Sequence, residues 1–143
     1  MTQPSWREAL ASLEVPARPA GGIWSLAIDY VTGPRKLKIA AQGEWGVTAD
    51  RLCGPDGDGF ASEGLDKCLV TTAPRGSLIA KIGGGTADRS GTLYPVGRLS
   101  VIELADPSGA NPVRGTLFLT MNDDPARFRE HTGTITVQIW EAS

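Results

Sequence analysis

Histidine, cysteine and aromatic residues are scarce in this chain, and each shortage removes a class of chemistry. There is one histidine, His131, with two cysteines and 6% aromatic residues over 143 positions. A serine or cysteine triad would have His131 as its only base, and no Gly-x-Ser-x-Gly elbow presents a nucleophile to it. Cys53 and Cys68 are too few for a structural zinc site, and they can pair only if the fold brings their Cα atoms within about 7 Å. No apolar run reaches the roughly 18–20 residues of a spanning helix, so membrane insertion is not expected. The opening stretch, MTQPSWREALASLEVPARPAGG, has no basic start followed by an apolar core and does not read as a secretory signal. A cytoplasmic protein with reduced thiols is the expectation, release without a signal peptide being left open. Positive charge is not in excess: 14 Lys and Arg face 16 Asp and Glu, for a net charge of −2. That balance gives no electrostatic ground for nucleic acid as a partner.

Glycine and proline, by contrast, are plentiful, at 18 and 10 residues. They punctuate short runs, which favours an all-β fold, and the length suits one domain with its own core. Ser5 and Glu8 have the spacing of a capping box, and Trp6, Leu10 and Leu13 fall on one helical face. The sequence therefore predicts a short N-terminal helix and linker over 1–21, ended by VPARPAGG. From Gly22 the apolar period changes to two. RKLKIAAQG alternates Leu37 and Ile39 with Lys36 and Lys38, and GTITVQIW sets Ile135, Val137 and Ile139 on one face. Residues 46–75 lack such alternation and read as a long excursion with short strands at most. Seven or eight strands without intervening helices predict a jelly-roll antiparallel β-sandwich over 22–143.

Two acidic segments stand out. MNDDPARFREH gathers Asp123, Asp124, Glu130 and His131, and CGPDGDGFASEG offers Asp56, Asp58 and Glu63 among glycines. Hard cations such as calcium take six to eight oxygens from flexible loops of this kind. Solvent-facing turns rich in Asp and Gly are the competing reading of the same residues. GGGTADRSG lacks the Gly-Lys-Ser/Thr ending of a phosphate loop and reads as a hairpin. The acids lie on a shallow rim rather than across a cleft, so an enzyme is not expected.

The order of the segments carries a resemblance. GSLIAKIGG, then YPVGRLSVIELAD, then GTLFLTMNDDPARFREHTGTITVQI, resembles the galactose-binding, calcium-dependent bacterial lectins of the Pseudomonas galactophilic type. Gly76, Leu78, Lys81, Ile82, Gly83, Gly115, Leu117, Asn122, Asp123, Pro125 and Gly133 match that pattern. CGPDGD and IAAQGEW resemble the loop and the strand before it, so the likeness covers roughly 22–140.

The resemblance implies a small jelly-roll sandwich with a calcium ion bridging protein and sugar at one end. Carried over by position, Asp123 is the ligating aspartate, Arg127 and Val47 stand where carbonyls are used, and Glu130 and His131 replace two asparagines. That replacement cuts both ways, because Glu130 offers charged oxygen while His131 offers nitrogen, which suits zinc better than calcium. An ion pair from Arg129 to a nearby acid is an alternative that would let the loop fold without metal. Asp123, Glu130, His131, Glu63 and Phe60 are the expected sugar contacts, with Trp45 a further aromatic platform. The expected function is a carbohydrate-binding module for galactose-like glycans at the loops 45–63 and 122–131, assembled as a homo-oligomer with Trp140 at a subunit contact. The alternative is the same scaffold with its sugar site lost, binding a partner chain.

Overall fold

A computed structural model describes residues 10–58, 65–86, 90–104 and 113–142. Among these residues, nine strands run antiparallel in two sheets. In chain order they are β1 (Ala11–Pro16), β2 (Ser25–Thr32), β3 (Arg35–Thr48), β4 (Arg51–Cys53), β5 (Leu78–Ile82), β6 (Thr92–Pro95), β7 (Leu99–Leu104), β8 (Arg114–Met121) and β9 (Thr132–Glu141). The larger sheet has the order β1-β9-β3-β4, with β7 also on β3, and the smaller has β2-β8-β5-β6.

The alternation read in the sequence becomes burial. On β3, Leu37, Ile39, Trp45 and Val47 point inward, and on β9 so do Ile135, Val137 and Ile139. They meet Leu78, Ala80 and Ile82 of β5 and Leu117, Leu119 and Met121 of β8 to form the core between the sheets. The lysines of β3 lie on the outer face of a central strand, flanked by β9 on one side and by β7 and β4 on the other. Among its described residues, the excursion over 46–75 holds the last three residues of β3, then β4 and a 3-10 turn, Leu65–Lys67.

All five residues of β5 are buried, which requires cover on both faces. The second cover is a smaller apolar cluster of Trp24, Leu69, Val70, Ala73, Ile79, Phe118 and Phe128 on the outside of the smaller sheet. The segment 68–77 is thus a flap laid over that sheet.

The expected N-terminal helix does not extend over Ala11–Pro16, which is β1, paired residue for residue with β9 from Ala11–Ile139 to Pro16–Thr134. Leu10 and Leu13 fit helical spacing, but Leu13 and Val15 also fit period two, and β9 offers its edge to the ladder. Ser5, Trp6 and Glu8 lie outside the described residues.

Candidate functional site

The site is built where β8 ends. Asn122 and Asp123 follow the last residue of the strand, and both are buried. The Asn122 carbonyl accepts from Gly76 N at 2.7 Å, and its N–H donates to Ser77 O at 2.7 Å. Its side-chain amide lies 2.8 Å from Val70 O, 3.1 Å from Ala73 O and 3.2 Å from Pro74 O, and its oxygen accepts from Val70 N at 2.9 Å. One side chain therefore satisfies four backbone groups of the flap, which a buried loop cannot leave unpaired.

The flap places Arg75 against Asp123. Arg75 Nε donates to Asp123 Oδ1 at 2.9 Å, and Nη2 reaches Oδ2 at 3.4 Å. Oδ1 also accepts from Asp124 N at 2.7 Å. On the other oxygen, His131 Nε2 lies 2.8 Å from Oδ2, while His131 Nδ1 lies 2.8 Å from Ala17 O. A carbonyl only accepts, so Nδ1 carries a proton. Burial works against the Asp123 carboxylate, but the bond from His131, the Asp124 N–H and the Arg75 charge outweigh it and hold its pKa below the ordinary value.

The intervening turn is fixed locally. Asp124 caps the 3-10 turn Pro125–Glu130 by accepting from Ala126 N at 3.0 Å, with Pro125 opening the turn. Phe128 drops into the outer apolar cluster, its ring 4.4 Å from that of His131. On the facing side Trp45 Nε1 donates to Gly76 O at 2.8 Å. Gly76 has φ +88°, and a Cβ there would stand 2.8 Å from Cys53 Sγ, so only glycine fits.

Beside this corner, the outer side of the flap and the β6–β7 turn bound an open groove of about 260 Å³. Asp56, Thr72, Ser77 and Gly97 give it polar walls, while Ala73, Pro74, Pro95 and Val96 give an apolar floor. Asp56 Oδ1 accepts from Arg98 N at 2.7 Å, and Oδ2 lies 3.5 Å from Arg98 Nε.

The expected site residues are therefore distributed unevenly. Asp123 and His131 are brought together, but inside the protein. Arg127 and Glu130 point to solvent. Val47 is a core residue, 3.3 Å from where a Gly76 Cβ would stand, so it borders the corner from beneath. Trp45, fully buried, is no platform. Phe60 and Glu63 lie outside the described residues. The ion pair forms from Arg75 rather than Arg129, whose carbonyl instead accepts from Arg18 Nη1 at 3.2 Å. Sequence reasoning passed over Arg75; the available signal was a charged residue wedged between Pro74 and Gly76 just before a mostly apolar strand.

The donors in this arrangement do not fit a calcium ion. Both Asp123 oxygens are taken by N–H donors, and a fixed positive charge stands where the ion would approach.

No protein-family model matches the chain, and no curated protein matches it. Among solved structures, the chain is similar to the N-terminal domain of EclA, described as a PllA-like lectin. The identity is 21%, with 93% of this chain and 97% of that chain covered, at a TM-score of 0.65. At that identity the likeness is one of fold: the chain is an all-β sandwich of lectin-like architecture.

Proposed function

We propose that the chain is a carbohydrate-binding module of lectin type, with jelly-roll connectivity, reading galactose-like glycans at the end of the sandwich where β8 gives way to β9. The observation that carries the reading is the groove beside the Asp123 corner. Its volume of about 260 Å³ suits one sugar ring. Larger ligand cavities run to about 300–1,000 Å³.

The chemistry of its walls matches a pyranose. The Asp56 carboxylate has about four acceptor positions, and Arg98 uses only some of them, which leaves room for sugar hydroxyl donors. The exposed Arg98 guanidinium donates to ring and hydroxyl oxygens, and Pro95 and Val96 offer an apolar surface to the C–H face. Fold likeness to a domain described as a lectin, over nearly the whole chain, supports the same reading.

A glycan array followed by calorimetric titration with methyl galactoside tests it. Retention of galactosides is expected, and Asp56→Ala or Arg98→Ala should weaken binding at least about tenfold, the cost of a lost charged hydrogen bond, with the melting midpoint unchanged in Arg98→Ala. An array without any retained glycan ends the sugar reading.

Assembly with a second copy belongs to the proposal. Val101, Lys38 and Trp140 form one row across the outer face of the larger sheet, with Lys38 Nζ 4.6 Å from the Trp140 ring centre. Leu99 and Val101 on the edge strand β7 are 62% and 49% exposed. Light scattering should give a multiple of the chain mass, and Val101→Glu should reduce it to one copy; a monomeric wild type removes this part of the proposal.

A further inference from the structure

We infer that Arg75 is a built-in counter-ion that holds the Asp123 corner in the role a divalent cation would otherwise fill, so that the folded corner requires no metal. The inference uses no property of the sugar site and stands or falls apart from it.

The carboxylate of Asp123 is 1% exposed and Arg75 6% exposed. A carboxylate taken so far from water must be compensated by opposite charge and by hydrogen bonds on its lone pairs. Here both are complete. Arg75 supplies a charge that cannot be titrated away and a planar fork matched to the carboxylate. Asp124 N–H and the His131 ring fill the remaining positions. The resemblance in sequence implied oxygen ligands from the turn after Asp123 completing a cation shell. Glu130, the side-chain oxygen candidate there, faces solvent instead.

The backbone that carries the Arg75 side chain is also held in place. Its neighbours are fixed on both sides: Pro74 O lies 3.2 Å from the Asn122 amide, and Gly76 N and O are bonded to Asn122 O and Trp45 Nε1. An entering calcium ion would have to expel Arg75 from this clamp, strip Asp123 of two donors and break the Asp123–His131 bond. The corner is already charge-compensated, so added calcium has no differential affinity to contribute.

The test begins with the unaltered chain. Its thermal midpoint is measured in about 5 mM calcium chloride and in excess chelator, since an ion that binds only the folded form must raise it. The expected difference is under about 1 °C. His131 is the sole histidine, so its ring nitrogen signals report on the corner without ambiguity, and calcium should leave them unmoved. A calcium-dependent rise of several degrees accompanied by movement of these signals overturns the inference. A rise with unmoved signals places the ion elsewhere and supports it.

Two variants separate charge from packing. Arg75→Met keeps length without charge, and Arg75→Lys keeps charge without the fork. Lys should melt several degrees above Met, or fold where Met does not. Equal midpoints would show that position 75 merely fills space and would overturn the inference. Should neither variant fold, the comparison on the unaltered chain decides alone.

Discussion

His131 Nδ1 lies 2.8 Å from the carbonyl of Ala17, a contact spanning 114 positions of sequence. The same ring holds Asp123 through its other nitrogen. It therefore ties the exit of β1 to the corner beyond β8. His131→Ala removes both bonds and leaves a buried carboxylate oxygen short of a donor, so a loss of about 2–4 kcal/mol is expected. Urea unfolding measures it. A loss below about 0.5 kcal/mol would mean that the contacts form without contributing.

Acid should act through Asp123. Its pKa is lowered in the folded chain despite burial, by His131, Asp124 N–H and Arg75. The stabilisation is therefore fully present above the unfolded carboxylate value of about 4 and is lost as pH falls through the lower folded value. The groups facing it are Arg75, His131, Asp124 and the Cys68 thiol. Urea midpoints followed from pH 7 downward should fall on the acid side, and Asp123→Asn should flatten that limb. An unchanged limb would assign acid sensitivity to other carboxyls.

Asn122→Ala should free the flap before it unfolds the sandwich. It removes the amide that answers the carbonyls of Val70, Ala73 and Pro74. About 2–4 kcal/mol is expected from the backbone groups left unpaired. Hydrogen exchange should speed up over 68–77 while β3 and β9 keep their protection. Uniform acceleration would show that flap and sheets open together.

Gly76→Ala combines a left-handed backbone with overlap on Cys53 Sγ. A loss of about 2–4 kcal/mol is expected. Gly21→Ala meets no atom within 4 Å and serves as the control. Similar midpoints for the two variants would contradict the packing described around Gly76.

Neither cysteine is in a disulfide, and both are buried. Burial first, then the negative charge of Asp58 and Glu44, pushes the Cys53 thiol up to about 11. Burial and Asp123 do the same for Cys68, also to about 11. A disulfide reagent at pH 8 should label neither until the chain unfolds, because the thiolate is the reacting form. Prompt labelling of the native chain would contradict this.

What could be read in advance follows from how local each signal is. β3 and β9 were legible because every second residue is apolar and the sheet buries that face. β1 was not, because Leu13 fits helical spacing with Leu10 and a period of two with Val15, and the open edge of β9, over a hundred residues away, decides between them. The Asn122-Asp123 pair was legible as a motif, but its work was not. The amide's partners lie about fifty positions upstream, and the guanidinium that meets Asp123 sits 48 positions away. A charged residue between proline and glycine looks like any exposed turn until the flap folds over.

The Arg75–Asp123 pair has a consequence for where such a protein can operate. A mineral ligand is present only as far as its surroundings supply it, so its holder is tuned by each environment it enters. A guanidinium tethered to the backbone arrives with the chain in fixed proportion, and dilution, phosphate or a scavenging competitor cannot remove it. Readiness of that corner then does not vary with the mineral supply.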